Sequence, residues 1–103
     1  MSIFDGNREL TGEVFRQYKF SEFASKDGWF NTILNRNLPL VIYLHIVEDN
    51  DRYSVTGYSN MAFGTLKLKE KYIENTIDLA ILIRDIKEIN FSTFLDYFEY
   101  YVI

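Results

Sequence analysis

The sequence predicts a mainly β fold, a small, strongly bent, five-stranded antiparallel barrel with a short helix in front of it. Three runs rich in β-branched and aromatic residues follow one another at residues 40–47, 53–58 and 64–69. Asp, Asn and Gly residues separate the runs, and this arrangement is typical of a β-meander. Gly57 lies inside the middle run, where a glycine indicates a bend or a close approach of the backbone. We therefore expect a sheet that curls onto itself.

The composition is that of one folded globular domain. The chain has 103 residues, of which 48% are hydrophobic and 17% aromatic, and this excludes intrinsic disorder. It has no apolar run of about 18 or more residues and no basic, then apolar, leader, so we expect a cytoplasmic protein. The absence of cysteine excludes a disulfide framework and thiolate metal sites. The formal net charge of -4 argues against a protein that coats nucleic acid over its whole surface, but it is compatible with a local basic patch.

The first third of the chain predicts an arm and then a helix. Residues 1–20 form the arm, in which Val14 to Phe20 fits a strand or an irregular segment equally well. An amphipathic helix should follow, because Ser21 and Ser25 are candidate N-caps and four apolar residues recur at helical spacing. Those four residues are Trp29, Phe30, Ile33 and Leu34. The helix should end before Pro39, which forces the preceding residue out of the helical conformation.

The strands of the meander differ in how they should be buried. The run at 40–47 is apolar at nearly every position, so we expect both of its faces to be covered. The run at 64–69 alternates, with Leu66 and Leu68 directed inward and Thr65, Lys67 and Lys69 outward. The acidic segment 48–52 between the first two runs reads as a solvated hairpin tip rather than a cation site, because it lacks the glycine and the distal glutamate of a calcium loop.

The last third of the chain is ambiguous in two places. The run 77–83 fits a helix and a strand, and its richness in isoleucine favours the strand. We expect one more strand after it, completing the unit of helix and barrel at residues 21–91. The tail at 92–103 is rich in aromatic residues and fits either a helix or an edge strand, so it should dock on the rest of the protein.

Several segments, in this order, resemble the Sm/LSm family, and their local sequence is most similar to its Hfq-like branch. The matching segments are Lys26 to Ile33, Pro39 to Leu44, Val55 to Gly57, Leu66 to Leu68 and Ile81 to Ile89. The resemblance covers about residues 26–91. It implies a short helix followed by five bent antiparallel strands, assembly into a homo-oligomeric ring of five to seven subunits, and binding of single-stranded RNA or DNA.

The resemblance also implies where nucleic acid would bind. Arg84 falls on a binding position of the family, Thr65 on the position of its base-stacking side chain, and Lys26 on that of a glutamine in the Hfq-like branch. Lys67 and Lys69 add positive charge close to Thr65 in the sequence, and Phe63 adds an aromatic ring. The full set of candidate nucleic-acid-binding residues is Phe63, Thr65, Lys67, Lys69, Arg84 and Lys26.

These residues also have structural interpretations that carry no binding function. The lysines would keep a sheet surface soluble, Phe63 would pack in the core, and His45 would be a hydrogen-bonded sheet residue. We find no residue pattern for catalysis, a metal or a cofactor, so we do not expect an enzyme. The alternative function is a protein-interaction module, such as an acidic inhibitor or immunity-type protein, that engages a basic partner through the loop at 48–52 and the tyrosine-rich tail.

Overall fold

A computed structural model describes residues 9–25, 27–61 and 64–102, and its main element is a seven-stranded antiparallel sheet. The strands are β1 (Ser21–Glu22), β2 (Trp29–Leu34), β3 (Val41–Asp49), β4 (Arg52–Met61), β5 (Gly64–Leu68), β6 (Lys71–Ile73) and β7 (Phe98–Val102). The helices are α1 (Gly12–Gln17), α2 (Thr76–Glu88) and α3 (Phe94–Tyr97). No helix within the described ranges is long and apolar enough to cross a membrane.

The sheet has two ends and does not close on itself. Its strands follow the order β1-β2-β3-β4-β5-β7, and β6 pairs separately with residues 53–55 of β4. The mainly β prediction is confirmed, and so is the meander of β3, β4 and β5. The Cβ that Gly57 lacks would lie 2.9 Å from Cδ2 of Leu44, so the glycine marks a close approach between β3 and β4.

The core lies on one face of the sheet only. Ile42, Leu44 and Ile46 of β3 are buried there, together with Leu66 and Leu68 of β5. The prediction that both faces of β3 are buried is wrong. The side chains between these residues point away from the helices, and Val41 and Tyr43 are exposed.

Helix α2 occupies the run 77–83, for which we predicted a strand, and continues to Glu88 into the further strand that we expected up to residue 91, so both predictions are wrong. Asn75 caps its first turn, where Oδ1 accepts a hydrogen bond from the backbone N–H of Asp78 at 3.0 Å. The Asp78 carboxylate in turn accepts one from the backbone N–H of Glu74 at 2.9 Å. The cap satisfies N–H groups that a helix start leaves without partners. The residues of α2 that enter the core are Leu79, Leu82, Ile83 and Ile86, at helical spacing.

Strand β2 replaces the helix that we predicted around residues 29–34. Its residues pair in register with β3, from Trp29 opposite Ile46 to Leu34 opposite Val41. The long-range ladder outweighs the local helical pattern, as is common for short segments. The apolar residues consequently divide between the two faces, with Ile33 buried in the core and Leu34 exposed.

The connection between β2 and β3 holds the C-terminal end of α2 against the sheet. The side-chain amide of Asn35 donates to the carbonyl of Ile86, and that of Asn37 to the carbonyl of Glu88, both at 2.8 Å. The backbone N–H of Arg36 donates to the carbonyl of Lys87 at 2.8 Å. These bonds satisfy carbonyl groups that the end of a helix leaves free.

The described part of the arm contains helix α1, which begins before Val14 and ends at Gln17, where the sequence predicts a strand or an irregular segment. Helix α1 places Phe15, which is fully buried, among three aromatic side chains. The ring centroids of Phe20, Trp29 and Tyr53 lie 5.8, 5.2 and 5.3 Å from that of Phe15. At the other end of the chain, the tail forms both structures that we considered, the short α3 and then β7, and Phe98 is buried in the core.

Replacing Asn75 tests the importance of the α2 cap. We expect Asn75→Ala to lower the free energy of unfolding by about 0.5 to 2 kcal/mol, because the first turn of α2 loses its acceptor. The melting temperature should fall by several degrees, at about 4 to 8 °C per kcal/mol for a domain of this size. Asn75→Asp keeps the acceptor and should melt close to the wild type. An Asn75→Ala protein with the wild-type melting temperature would show that the cap adds nothing.

Candidate functional site

The face of the sheet opposite the core, here called the outer face, displays aromatic side chains in register. Tyr43 of β3 and Tyr58 of β4 are Cα partners, and their rings stack with centroids 5.1 Å apart at an interplanar angle of 25°. Both residues remain exposed, at 41% and 43%. Lys67 of β5 is the Cα partner of Tyr58, so an ammonium group continues the same row.

A second aromatic group lies beside this row, at the β1 end of the outer face. Phe30 of β2 is the Cα partner of His45. Phe23, in the turn between β1 and β2, covers both, with ring centroids 4.7 Å from Phe30 and 4.5 Å from His45. The backbone N–H of Phe23 donates to the carbonyl of Gly28 at 3.0 Å and holds this turn closed.

His45 packs against the backbone of Gly28. A Cβ added to Gly28 would lie 2.7 Å from Nε2 of His45 and 2.7 Å from the carbonyl oxygen of Ile46. The same Nε2 is buried and has no hydrogen-bond partner among the described residues. Nε2 of His45 therefore does not form the hydrogen bond that we expected for this side chain within the described residues. Only glycine fits at position 28 without a shift of its neighbours.

The β7 end of the outer face carries a group of lysine, tyrosine and glutamate. Nζ of Lys67 lies 5.1 Å from the ring centroid of Tyr101, within range of a cation–π interaction. The hydroxyl of Tyr101 donates to Oε2 of Glu99 at 2.7 Å. That hydrogen bond, with the negative charge of Glu99, raises the pKa of Tyr101 above its usual value.

The tyrosine row, the second aromatic group and Lys67 line one open groove with a volume of about 660 Å³. Tyr101 and Glu99 do not line it. Its lining includes the stacked tyrosines, Phe30 on β2 with Phe23 in the turn before it, and Lys67 on β5. Three hydroxyl-bearing residues, Thr32, Thr56 and Thr65, also line the groove. The groove thus offers flat apolar surfaces, hydrogen-bonding groups and one positive charge to a ligand.

The structure brings together only part of the predicted site. Thr65 and Lys67 line the groove, whereas Lys69 is exposed just beyond β5. Arg84 lies on α2, which covers the core face, so it does not share a surface with Lys67. Its guanidinium pairs with the carboxylate of Asp85 at 3.2 Å. The predictions for Lys26 and Phe63 lie outside the described residues.

Sequence reasoning missed most of the aromatic residues of the groove. Phe23, Phe30, Tyr43 and Tyr58 come from separate segments, and only the pairing of strands brings them together. One signal was present within β3, where Tyr43 and His45 alternate with purely aliphatic residues. That alternation predicts one buried and one exposed face.

Comparison with known proteins adds no relative, since the chain matches no protein-family model, no curated protein and no solved structure.

Adding a methyl group at Gly28 tests the packing under His45. We expect Gly28→Ala to destabilise the protein by about 1 to 3 kcal/mol, because a backbone carbonyl as well as the imidazole must move. Thermal denaturation followed by circular dichroism measures the change. Gly12→Ala is the matched control, since its Cβ would meet the Trp29 ring at 3.2 Å, a milder contact. Equal melting temperatures for the two variants would contradict the close packing at Gly28.

The hydrogen bond between Tyr101 and Glu99 has a measurable effect on titration. Glu99→Gln removes the carboxylate that favours the neutral phenol, so the pKa of Tyr101 should fall toward the ordinary tyrosine value of about 10. A titration across alkaline pH, followed by carbon-13 NMR of the tyrosine ring carbons, measures the pKa of Tyr101. The pKa of Tyr72, raised mainly by its own hydrogen bond to Glu70, should not change. An unchanged pKa of Tyr101 would show that Glu99 does not control it.

Proposed function

We propose that the outer face binds single-stranded nucleic acid, in particular RNA, by stacking its bases on Tyr43 and Tyr58. The observation that supports the proposal is the pair of half-exposed tyrosine rings at the centre of an open antiparallel sheet, with Lys67 beside them. Several folds bind single strands in this way, because an unpaired base can lie flat on an aromatic side chain displayed by a sheet.

The polar groups of the groove suit this ligand. The hydroxyls of Thr56 and Thr65 donate to the His45 carbonyl at 3.4 Å and to Oδ1 of Asn60 at 3.5 Å, and their oxygens can still accept hydrogen bonds from the edges of unpaired bases. Thr32 adds a third hydroxyl to the lining. Asn60, the Cα partner of Thr65, adds an amide near the Lys67 end. The candidate residues Thr65 and Lys67 keep a role in the proposal, and Arg84 does not.

We expect base stacking to contribute more to the free energy of binding than the attraction between Lys67 and phosphate does. Each base that stacks on an aromatic side chain contributes about 1 to 3 kcal/mol, so two tyrosines supply roughly 2 to 6 kcal/mol. Lys67 is the cation among the groove residues, and the formal net charge of -4 opposes the approach of phosphate. We therefore expect modest affinity with a shallow salt dependence, a slope near -0.7 in log K against log salt for each phosphate neutralised.

The proposal does not depend on an Sm-type assembly. The five-stranded barrel implied by the Sm/LSm resemblance is not confirmed, since the sheet has seven strands and does not close. The ring of five to seven subunits stays a prediction. A single open sheet face is sufficient for stacking, so a monomer or a dimer could bind.

Paired substitutions test the proposal by fluorescence anisotropy with a labelled oligouridine at low salt. We expect wild-type binding, and a loss of about a hundredfold in Tyr43→Leu/Tyr58→Leu, because each of the two lost stacks is worth about a factor of ten. Lys67→Ala should weaken binding less, and it should flatten the salt slope. Phe91→Leu and Arg84→Ala are controls that remove an exposed ring and a cation away from the groove, and both should bind as the wild type does.

Absence of binding by the wild type, or equal loss in the control variants, would overturn the proposal. The protein-interaction alternative would then be preferred, because exposed tyrosines are also frequent at the centres of protein interfaces. The acidic hairpin tip, with Glu48 exposed beside it, would serve a basic partner in that case.

A further inference from the structure

Strand β7 forms an edge of the sheet that is both long and apolar. It pairs with β5 along its whole length, and no other strand among the described residues pairs with its far side. Tyr100, Tyr101 and Val102 are exposed, Val102 at 75%. An open edge with exposed apolar residues is a template for another strand.

The hydrogen-bond register shows which backbone groups of β7 face outward. Just before the strand, the N–H of Lys69 donates to the carbonyl of Tyr97 at 2.8 Å. In an antiparallel ladder, hydrogen-bonded pairs alternate with pairs that are not bonded. Residues 97, 99 and 101 therefore direct their backbone groups toward β5, whereas residues 98, 100 and 102 direct theirs to the free edge.

One of these outward N–H groups is already used. The N–H of Phe98 donates to the carbonyl of Phe94 at the end of α3, which agrees with its outward direction. Within the described ranges, the N–H groups of Tyr100 and Val102 make no such bond to a helix carbonyl, and the carbonyls of all three residues face the same way. The edge therefore offers donors and acceptors in alternation.

The other free edges of the sheet are poor partners for β7. Strand β1 has two residues and β6 has three, against five in β7. The part of β2 that extends beyond β1 has one backbone donor fewer for another strand, because the N–H of Thr32 already donates to Oδ1 of its neighbour Asn31 at 2.8 Å. Within the described residues, the edge that matches β7 in length and in free groups is β7 itself.

We propose that β7 pairs antiparallel with β7 of a second copy of the chain, about a two-fold axis at Tyr100, so that the two sheets become one. The two Tyr100 residues exchange N–H to carbonyl bonds. Val102 donates to the carbonyl of Phe98 of the second copy, and the reverse bond forms by symmetry. This isologous contact closes on itself and gives a dimer, not a ring.

The side chains of the proposed ladder are complementary. Centring on Tyr100 places Glu99 opposite Tyr101 of the second copy, on the outer face. A phenol and a carboxylate already bond to each other within one chain, at 2.7 Å, so the same chemistry is available across the axis. On the opposite side of the strand, Tyr100 and Val102 cover each other's apolar surface. The proposal does not rest on nucleic-acid binding.

Replacing Tyr100 by proline tests the backbone contact, with alanine as the matched control. Tyr100→Pro removes an N–H that bonds nothing in β5, and the proline ring blocks the edge. Tyr100→Ala removes the side chain and keeps the N–H. In sedimentation equilibrium at micromolar to submillimolar concentration, we expect a wild-type mass of twice 12.3 kDa, a dimer for Tyr100→Ala and a monomer for Tyr100→Pro.

A single cysteine tests the position of the axis without relying on the proline variant. The chain contains no cysteine, so Tyr100→Cys can form a disulfide only between copies. Paired Cα atoms in a hydrogen-bonded position lie about 5.5 Å apart, within the range that a disulfide spans. We expect rapid cross-linking on mild oxidation, and little for Leu34→Cys, which is exposed at the other end of the sheet.

A wild-type monomer over the whole concentration range, or a mass of five to seven chains, would overturn the proposal. So would a folded Tyr100→Pro protein that remains dimeric, or equal cross-linking of the cysteines at 100 and 34. Faster cross-linking of Tyr101→Cys than of Tyr100→Cys would overturn the register.

Discussion

The register between β3 and β4 is the constraint on which the rest of this structure depends. It joins seven pairs of residues, from Tyr43 opposite Tyr58 to Asp49 opposite Arg52. Because successive side chains of a strand point to opposite faces, a slip of one residue would send Leu44 to water and Tyr43 to the core. Gly57 fixes the register further, since a side chain there would collide with Leu44. The core and the outer face therefore follow from the same set of backbone hydrogen bonds.

The unequal covering of the two faces follows from the helices. Helix α2 and helix α1 both pack on the core face, where α2 contributes four large aliphatic residues and α1 contributes Phe15. Phe94 of the third helix, α3, also packs against the core. Among the described residues no helix therefore covers the outer face, and its aromatic side chains stay partly exposed to water. Half-exposed rings held in register on such a surface typically mark a site of interaction. The pairing of strands that stabilises the fold thus also creates the groove.

Which parts of the fold and of the groove could be predicted from the sequence depends on how far apart in the sequence the interacting residues lie. The strands β3, β4 and β5 were predicted because their signals are local, namely alternation, β-branched residues and turn residues between them. The runs that became β2 and α2 were each assigned to the wrong kind of element. The apolar residues of the β2 run recur at helical spacing, and the α2 run fits both periods. The cap at Asn75 was a local signal for α2 that we did not use, whereas nothing local distinguishes β2 from a helix. The groove could not be predicted as a unit, since Phe23, Tyr58 and Lys67 come to line it only through the pairing of strands distant in sequence.

The proposed nucleic-acid-binding face and the proposed dimer contact lie next to each other, because Lys67 of β5 pairs with Glu99 of β7. In the proposed dimer, Tyr101 and Lys67 of each copy lie next to the two-fold axis, so the two outer faces form one continuous surface. A strand long enough to reach both faces would then bind the dimer more tightly than the monomer. By linkage it would strengthen dimerisation by the same factor, because a ligand stabilises whichever state it prefers. A short oligonucleotide that occupies one groove would have no such effect, so dependence on oligonucleotide length separates binding to one face from binding across the two-fold axis.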